Sequence, residues 1–125
     1  MPSPAVKWLA IAAIVGTGLI HIVEAQPSFA DAIYKGILFV ANGLGALVAA
    51  IGIYRNQHAL GWVLGLLVAG GALAGYVASR TVGLPGLKPE PGNWLEPMGV
   101  ASLVCEGLFI VLFIASSRVQ TRSSP

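Results

Sequence analysis

The chain has 125 residues, of which 56% are hydrophobic and only 10% are charged, and its formal net charge is +2. Soluble domains carry about 25% charged residues, so this composition, with a mean hydropathy of +0.81, excludes a soluble domain and indicates a lipid bilayer as the surroundings. The slight positive charge comes without a basic run, which excludes nucleic acid as a partner, and the single cysteine excludes an internal disulfide.

The sequence predicts four hydrophobic helices joined by short connections. Each segment has about twenty residues, enough to cross a hydrocarbon core of about 30 Å, and none alternates with the period of two that is typical of strands. We therefore predict an all-α fold, a four-transmembrane-helix antiparallel bundle. Its helices cover about residues 6–25, 33–54, 60–79 and 97–116, and a polar tail follows at 117–125.

The first segment also has features of a secretory signal peptide. Lys7 precedes an apolar run, and Val23-Glu24-Ala25 resembles a cleavage site. Because His21 and Glu24 are ill suited to such a site, we interpret the segment as a retained first helix. The connection that follows, residues 26–32, is predicted as a turn with Pro27 and Asp31 as turn and cap residues.

The distribution of charge predicts the orientation. One end of the bundle, formed by the N-terminus, the second connection and the C-terminus, carries only basic side chains, whereas the other carries both signs. The positive-inside rule then places both termini in the cytoplasm, and we expect a multi-pass protein of the inner (plasma) membrane. The basic end has Lys7, Arg55, Arg118 and Arg122, and the mixed end has Lys35, Arg80, Lys88, Glu24, Asp31, Glu90 and Glu96.

Small residues recur at four-residue spacing in the second and third segments. Such patterns let helix backbones approach closely in lipid, so they predict helix packing, either within this chain or with other subunits. The pairs are Gly45 with Ala49, Gly61 with Gly65, and Gly71 with Gly75.

Polar residues recur on one face of each predicted helix, at helical spacings. All of them lie near the midplane or toward the mixed-charge end. We predict a polar site that opens outward and is closed at its inner end by apolar packing. The faces are Thr17, His21 and Glu24; Lys35 and Asn42; Tyr76 and Arg80; and Gly99, Ser102 and Glu106.

Glu106 lies about ten residues into a membrane span, where an ionised carboxylate is expensive. Either Arg80 or Lys35 compensates the acidic side chains, or Glu106 is a neutral acid that hydrogen-bonds Ser102 or Asn42. The predicted ligand or proton site comprises His21, Asn42, Arg80, Glu96 and Glu106.

Most of these residues also have a structural interpretation. His21 can be a satisfied core histidine, Asn42 can join two helices, and Arg80 can extend from a helix end to the membrane surface. Glu24, Lys35 and Glu96 lie near the interface, where charged side chains are usually solvated.

A metal site is a further interpretation of the same cluster. One histidine nitrogen with carboxylates can bind a transition metal, and the candidate ligands are His21, Glu24 and Glu106. A haem site is disfavoured, because His21 and His58 belong to opposite ends of the bundle. The sequence contains no Ser-His-Asp arrangement, phosphate-binding loop or dinucleotide motif, which favours a protein that is not an enzyme.

Two stretches carry a resemblance to known proteins. The loop SRTVGLPG, residues 79–86, and the following WLEPMGVASLVCEGLF, residues 94–109, resemble a set of small, poorly characterised four-helix bacterial membrane proteins. The resemblance implies that His21, Arg80, Glu96 and Glu106 belong to one feature, but it implies no settled activity.

Two functions remain open from the sequence. The first is an accessory subunit of a larger membrane complex, for example a redox or oxygenase assembly, favoured by small size and glycine-rich helix faces. The second is a carrier or sensor for a metal, a proton or a small solute that uses the polar cluster.

Overall fold

The computed structural model describes residues 3–89, 92 and 94–123, the last six by their backbone only. Every regular element among these residues is helical, and four helices are long and apolar enough to cross a membrane, so the predicted all-α, four-span architecture is confirmed. The elements are α1 (Pro4–Val23), α2 (Ala25–Asp31), α3 (Ile33–Tyr54), a π-helical turn (Ala59–Val63) that continues into α4 (Leu64–Arg80), and α5 (Pro97–Ser123).

The four spans pack as a square in cross-section. Helices α1 and α4 each lie against both α3 and α5, whereas α1 and α4 barely touch each other and therefore occupy diagonal corners. The short α2 lies on α3, with the Phe29 ring over Gly36. The connection between α3 and the π-helical turn, residues 55–58, is short enough to require that these two spans are antiparallel.

Two helix boundaries differ from the prediction. The first connection forms α2 rather than a turn, because Pro27 stands in the first turn of that helix, where a missing backbone N–H is tolerated. Helix α5 continues through the residues predicted as a polar tail, as far as Ser123. Residues 117–123 include no glycine or proline, so none of them interrupts the helix that the apolar span begins.

The apolar core occupies the half of the bundle that contains the start of α1. Close backbone contacts make it compact: a Cβ added to Gly52 would lie 2.5 Å from the Gly61 nitrogen, and one added to Gly65 would meet the Phe109 ring at 2.3 Å. The Phe109 ring in turn packs beside Trp62. Alanines contribute much of the remaining core, which consists of Ala10, Ala13, Ile14, Ala46, Ala49, Ala50, Ile53, Trp62, Val68, Ala69, Phe109 and Leu112.

The sequence stretch 79–86 folds as a helix stop followed by a tight turn. The Thr81 hydroxyl donates to the Val77 carbonyl and the Gly83 N–H donates to the Ala78 carbonyl, so both close the end of α4. Gly86, with φ of 74°, occupies the turn position that requires positive φ after a proline. Glu90, one of the predicted mixed-charge residues, lies outside the described residues.

Candidate functional site

A cavity of about 680 Å³ occupies the half of the bundle opposite the apolar core. It lies between α1, α2, α3, α4 and the start of α5, and its lining contains both apolar and polar side chains. Its polar lining includes His21, Glu24, Asp31, Lys35, Asn42, Tyr76, Ser79, Arg80, Glu96 and Ser102. The structure thus brings four of the five predicted site residues to one cavity, and the fifth, Glu106, contacts its wall through Ser102.

Glycines on α4 explain why this space is unfilled. Gly71 and Gly75 line the cavity, and a Cβ added at either position would have no neighbour within 4 Å. Gly61 and Gly65, at the other end of the same helix face, are in tight contact. The repeated glycines therefore pack helices in the core half only. In the cavity half, Gly71 and Gly75 leave space between the helices unfilled.

His21 is held by its own helix. Its Nδ1 lies 2.8 Å from the Thr17 carbonyl oxygen, which can only accept a hydrogen bond, so Nδ1 carries the proton and donates it. The ring also packs against Phe39, with ring centroids 5.0 Å apart. Because Nδ1 is occupied, Nε2 is the nitrogen left to accept a hydrogen bond when the ring is neutral.

Asn42 joins α3 to α4. Its Nδ2 donates a hydrogen bond to the Val68 carbonyl oxygen over 3.0 Å. Oδ1 is then the amide atom that remains to accept a hydrogen bond. That oxygen is buried and has no donor within the described part of the chain, and the same is true of the Thr17 hydroxyl. Of these two residues only Asn42 lines the cavity, so the site contains one buried acceptor, Asn42 Oδ1, that the described residues leave unused.

Arg80 lies on an aromatic surface at the loop end of the cavity. Its guanidinium carbon is 3.9 Å from the centroid of the Tyr76 ring, and Nη1 donates to the Ser79 hydroxyl over 2.7 Å. The Tyr76 hydroxyl donates to the Trp94 carbonyl over 2.6 Å, which ties this aromatic surface to the third connection. Stacking on the face of the tyrosine ring helps to stabilise the guanidinium.

Glu96 is the N-terminal cap of α5. One carboxylate oxygen accepts from the Met98 N–H over 3.1 Å, and the other accepts from the Gly99 N–H over 2.7 Å. Pro97 follows at the first helical position, where its lack of an N–H is harmless. The sequence predicted Glu96 as part of the ligand site. Although it lines the cavity, its two oxygens are used to cap the helix.

Glu106 is buried just beyond the cavity, with 1% of its surface exposed. The Ser102 hydroxyl, which lines the cavity, donates to its Oε2. No basic side chain of the described residues forms an ion pair with Glu106. Of the two alternatives left open by the sequence, the predicted compensation by Arg80 or Lys35 is therefore not observed, whereas the hydrogen bond to Ser102 is.

Glu24 and Lys35 face the same cavity but do not pair with each other. Lys35 forms its ion pair with Asp31, four residues earlier, at 2.6 Å. The half-buried Glu24 carboxylate has neither a hydrogen bond nor an ion pair within the described part of the chain. It lies at the junction of α1 and α2, where its backbone carbonyl accepts from the Ser28 hydroxyl.

The predicted metal ligands do not come together. Across residues 3–89, 92 and 94–123, no three His, Cys, Asp or Glu side chains are close enough to hold a metal ion. His21, Glu24 and Glu106 share one side of the bundle, but Glu106 is engaged with Ser102 and His21 with its own backbone. The expectation rested on helical spacing, which does not fix the separation between residues on different helices.

Sequence reasoning missed three contributions to the site. The Trp94 carbonyl and the Ser79 hydroxyl are polar partners of Tyr76 and Arg80. Both residues stand in the two motif stretches, but the motifs did not identify them as site residues. Gly71 and Gly75 were interpreted as packing residues, although they form a cavity wall.

Comparisons with known proteins add no relative. Neither protein-family models, nor curated proteins, nor solved structures match this chain.

Proposed function

We propose that this protein is a membrane-embedded carrier or sensor that binds a small ligand in the cavity between its spans. The observation that carries the proposal is the cavity itself. Its volume of about 680 Å³ falls within the range of about 300–1,000 Å³ typical of small-molecule sites. Such sites combine an apolar lining with a few polar groups that orient the ligand, as this one does.

The unfilled glycine wall supports ligand binding over simple helix packing. A helical glycine costs about 0.5–1 kcal/mol relative to alanine, and at Gly71 and Gly75 no neighbouring atom requires its small size. A void of this size also forfeits packing contacts. An occupant of the cavity accounts for both features.

Native mass spectrometry of the protein purified in a mild detergent tests the proposal. We expect the wild type to retain a bound small molecule that the variant Gly71→Leu/Gly75→Leu loses, because two leucine side chains fill the space. The matched control is Gly70→Leu/Gly107→Leu, since these glycines also have no neighbour within 4 Å but do not line the cavity. A wild type without any bound molecule, or equal retention by both variants, contradicts the proposal.

The accessory-subunit role stays a prediction. It was favoured by glycine-rich faces available to partner chains, but Gly61 and Gly65 are in contact within this chain and Gly71 and Gly75 face the cavity. The argument from glycine-rich faces for an accessory subunit is therefore weaker. Mild-detergent purification from the native membrane decides it: reproducible partner chains support the role, and a monodisperse single chain opposes it.

The resemblance to small four-helix bacterial membrane proteins belongs to the proposal as well. Its motif residues gain a physical interpretation, because Arg80, Glu96 and His21 line one cavity and Glu106 bonds its wall. We place the protein in the inner membrane with both termini cytoplasmic, so that the cavity lies in the outer half of the bilayer.

A further inference from the structure

Helices α3 and α4 diverge toward the cavity. They are in backbone contact at Gly52 and Gly61, and a Cβ added to Gly45 would lie 3.1 Å from Val68 Cγ2. The Asn42 hydrogen bond to the Val68 carbonyl is the next contact along the pair. Beyond it, a Cβ added to Gly75 would have no neighbouring atom within 4 Å. The two helices therefore form a cleft that is closed in the core half and open in the cavity half.

This cleft opens sideways, at the depth of the membrane spans. Leu38 on α3 and Leu67 on α4 both line the cavity, yet they are 59% and 67% exposed. Ala41 and Gly71, their neighbours on the same rims, are exposed as well. All four positions fall within apolar spans, so the route between the helices leads into lipid.

The polar lining of the cavity includes hydrogen-bond acceptors that the described residues leave unused. The Glu24 carboxylate has no partner within the described residues, and His21 has only Nε2 left. The basic side chains are committed elsewhere, because Lys35 pairs with Asp31 and Arg80 stacks on Tyr76 and bonds Ser79. A ligand that complements this lining brings N–H donors and a positive charge.

We infer that the cavity takes a cationic amphiphile from the bilayer. Its ammonium head hydrogen-bonds the Glu24 carboxylate, and its apolar chain leaves between Leu38 and Leu67 into the membrane. This inference rests on the proposed ligand-binding function and specifies the ligand class. It makes Glu24 the principal recognition residue, a role that the sequence did not assign to it beyond a metal site.

Isothermal titration calorimetry of the purified chain in maltoside micelles, referenced to empty micelles, tests the inference. Three probes separate head from chain: octylammonium, octanoate and ethylammonium. We expect octylammonium to bind at one site per chain, and ethylammonium to bind at least about tenfold more weakly because it buries fewer methylene groups. Octanoate is expected not to bind, because its carboxylate faces another carboxylate.

Substitutions test separately whether the Glu24 carboxylate and the space beside Gly71 and Gly75 are needed for binding. Glu24→Gln should weaken octylammonium binding by about ten- to a hundredfold, the usual range for a hydrogen bond to a charged group, whereas Glu24→Asp should retain most of it. Gly71→Leu/Gly75→Leu should abolish it, and Gly70→Leu/Gly107→Leu should not. Circular dichroism checks that each variant is folded.

The outcomes distinguish this inference from the proposed function. Octanoate binding as tight as that of octylammonium, unchanged affinity in Glu24→Gln, or no binding of any probe overturns the cationic ligand class. If octanoate binds and the leucine pair at Gly71 and Gly75 abolishes its binding, the cavity still binds ligands and only the class is wrong.

Discussion

Glu106 and Ser102 form a buried hydrogen-bonded pair. Among the described residues, the Ser102 hydroxyl is the only donor to the Glu106 carboxyl group. The pair lies within a membrane span, and Glu106 is only 1% exposed. Leaving a buried polar group unsatisfied costs its full desolvation free energy, whereas replacing both partners with apolar groups can be nearly neutral. The pair therefore predicts a strong asymmetry between single and double substitutions.

We expect Ser102→Ala to lower the free energy of unfolding by about 1–3 kcal/mol, because it leaves the Glu106 carboxyl without a donor. Adding Glu106→Met, which keeps a similar volume, should restore part of that loss. Thermal unfolding followed by circular dichroism in detergent provides the comparison. If the double variant is destabilised by the full sum of the single effects, the two side chains are not coupled.

Substitutions of Glu96 distinguish a structural role, capping of α5, from a role in binding a ligand. Because both of its oxygens accept from backbone N–H groups at the start of α5, Glu96→Ala should cost about 1 kcal/mol in unfolding free energy. Glu96→Asn, which introduces a good capping residue, should retain most of the stability. A variant with wild-type stability and lost ligand retention in native mass spectrometry contradicts the capping role and returns Glu96 to the ligand site.

At the scale of helices, hydropathy and charge predicted the four spans closely, and the bounds of α3 agree with residues 33–54. Helical spacing also predicted which polar residues share a face of one helix, because a period of 3.6 is visible in the sequence. It did not predict how residues on different helices are arranged. The role of α2 was not predictable in this way, since Pro27 suits a turn and the first turn of a helix equally. Likewise, Gly65 and Gly75 are equivalent in the pattern, and only the structure shows that Gly65 packs against the Phe109 ring of α5 whereas Gly75 lines the cavity.

Two glycines on α5, Gly99 and Gly107, also differ in how closely other side chains approach them. Substituting each one should therefore change the stability differently. A Cβ added to Gly99 would lie 2.6 Å from Tyr76 Cε2 and 3.0 Å from its hydroxyl oxygen, so Gly99→Ala should displace the ring that carries Arg80. We expect a loss of about 1–3 kcal/mol, typical of overpacking. Gly107→Ala, with no neighbour within 4 Å, should instead stabilise the helix by about 0.5–1 kcal/mol. Equal effects of the two substitutions, measured by thermal unfolding, would show that Gly99 is not a close contact.

The whole molecule divides into two halves with different properties. One half is an alanine- and glycine-rich core with few polar side chains, and the other surrounds a cavity that contains most of the polar groups of the spans. Lys7 donates to Asn56 over 3.3 Å, which ties the start of α1 to the connection after α3 at the core end. The cavity therefore lies toward the end opposite the N-terminus, and the half of the bilayer that contains it depends on the orientation of the protein.

Orientation is testable with single cysteines in a Cys105→Ser background. The positive-inside rule places the basic end, which includes Lys7 and Arg55, in the cytoplasm. Val82 is 83% exposed at the cavity end, so Val82→Cys should react with a membrane-impermeant maleimide added outside intact spheroplasts. Asn56→Cys, at the core end, should react only after the membrane is permeabilised. The reverse pattern would place the cavity in the cytoplasmic half of the bilayer, and a ligand from the outer leaflet would then no longer be its natural occupant.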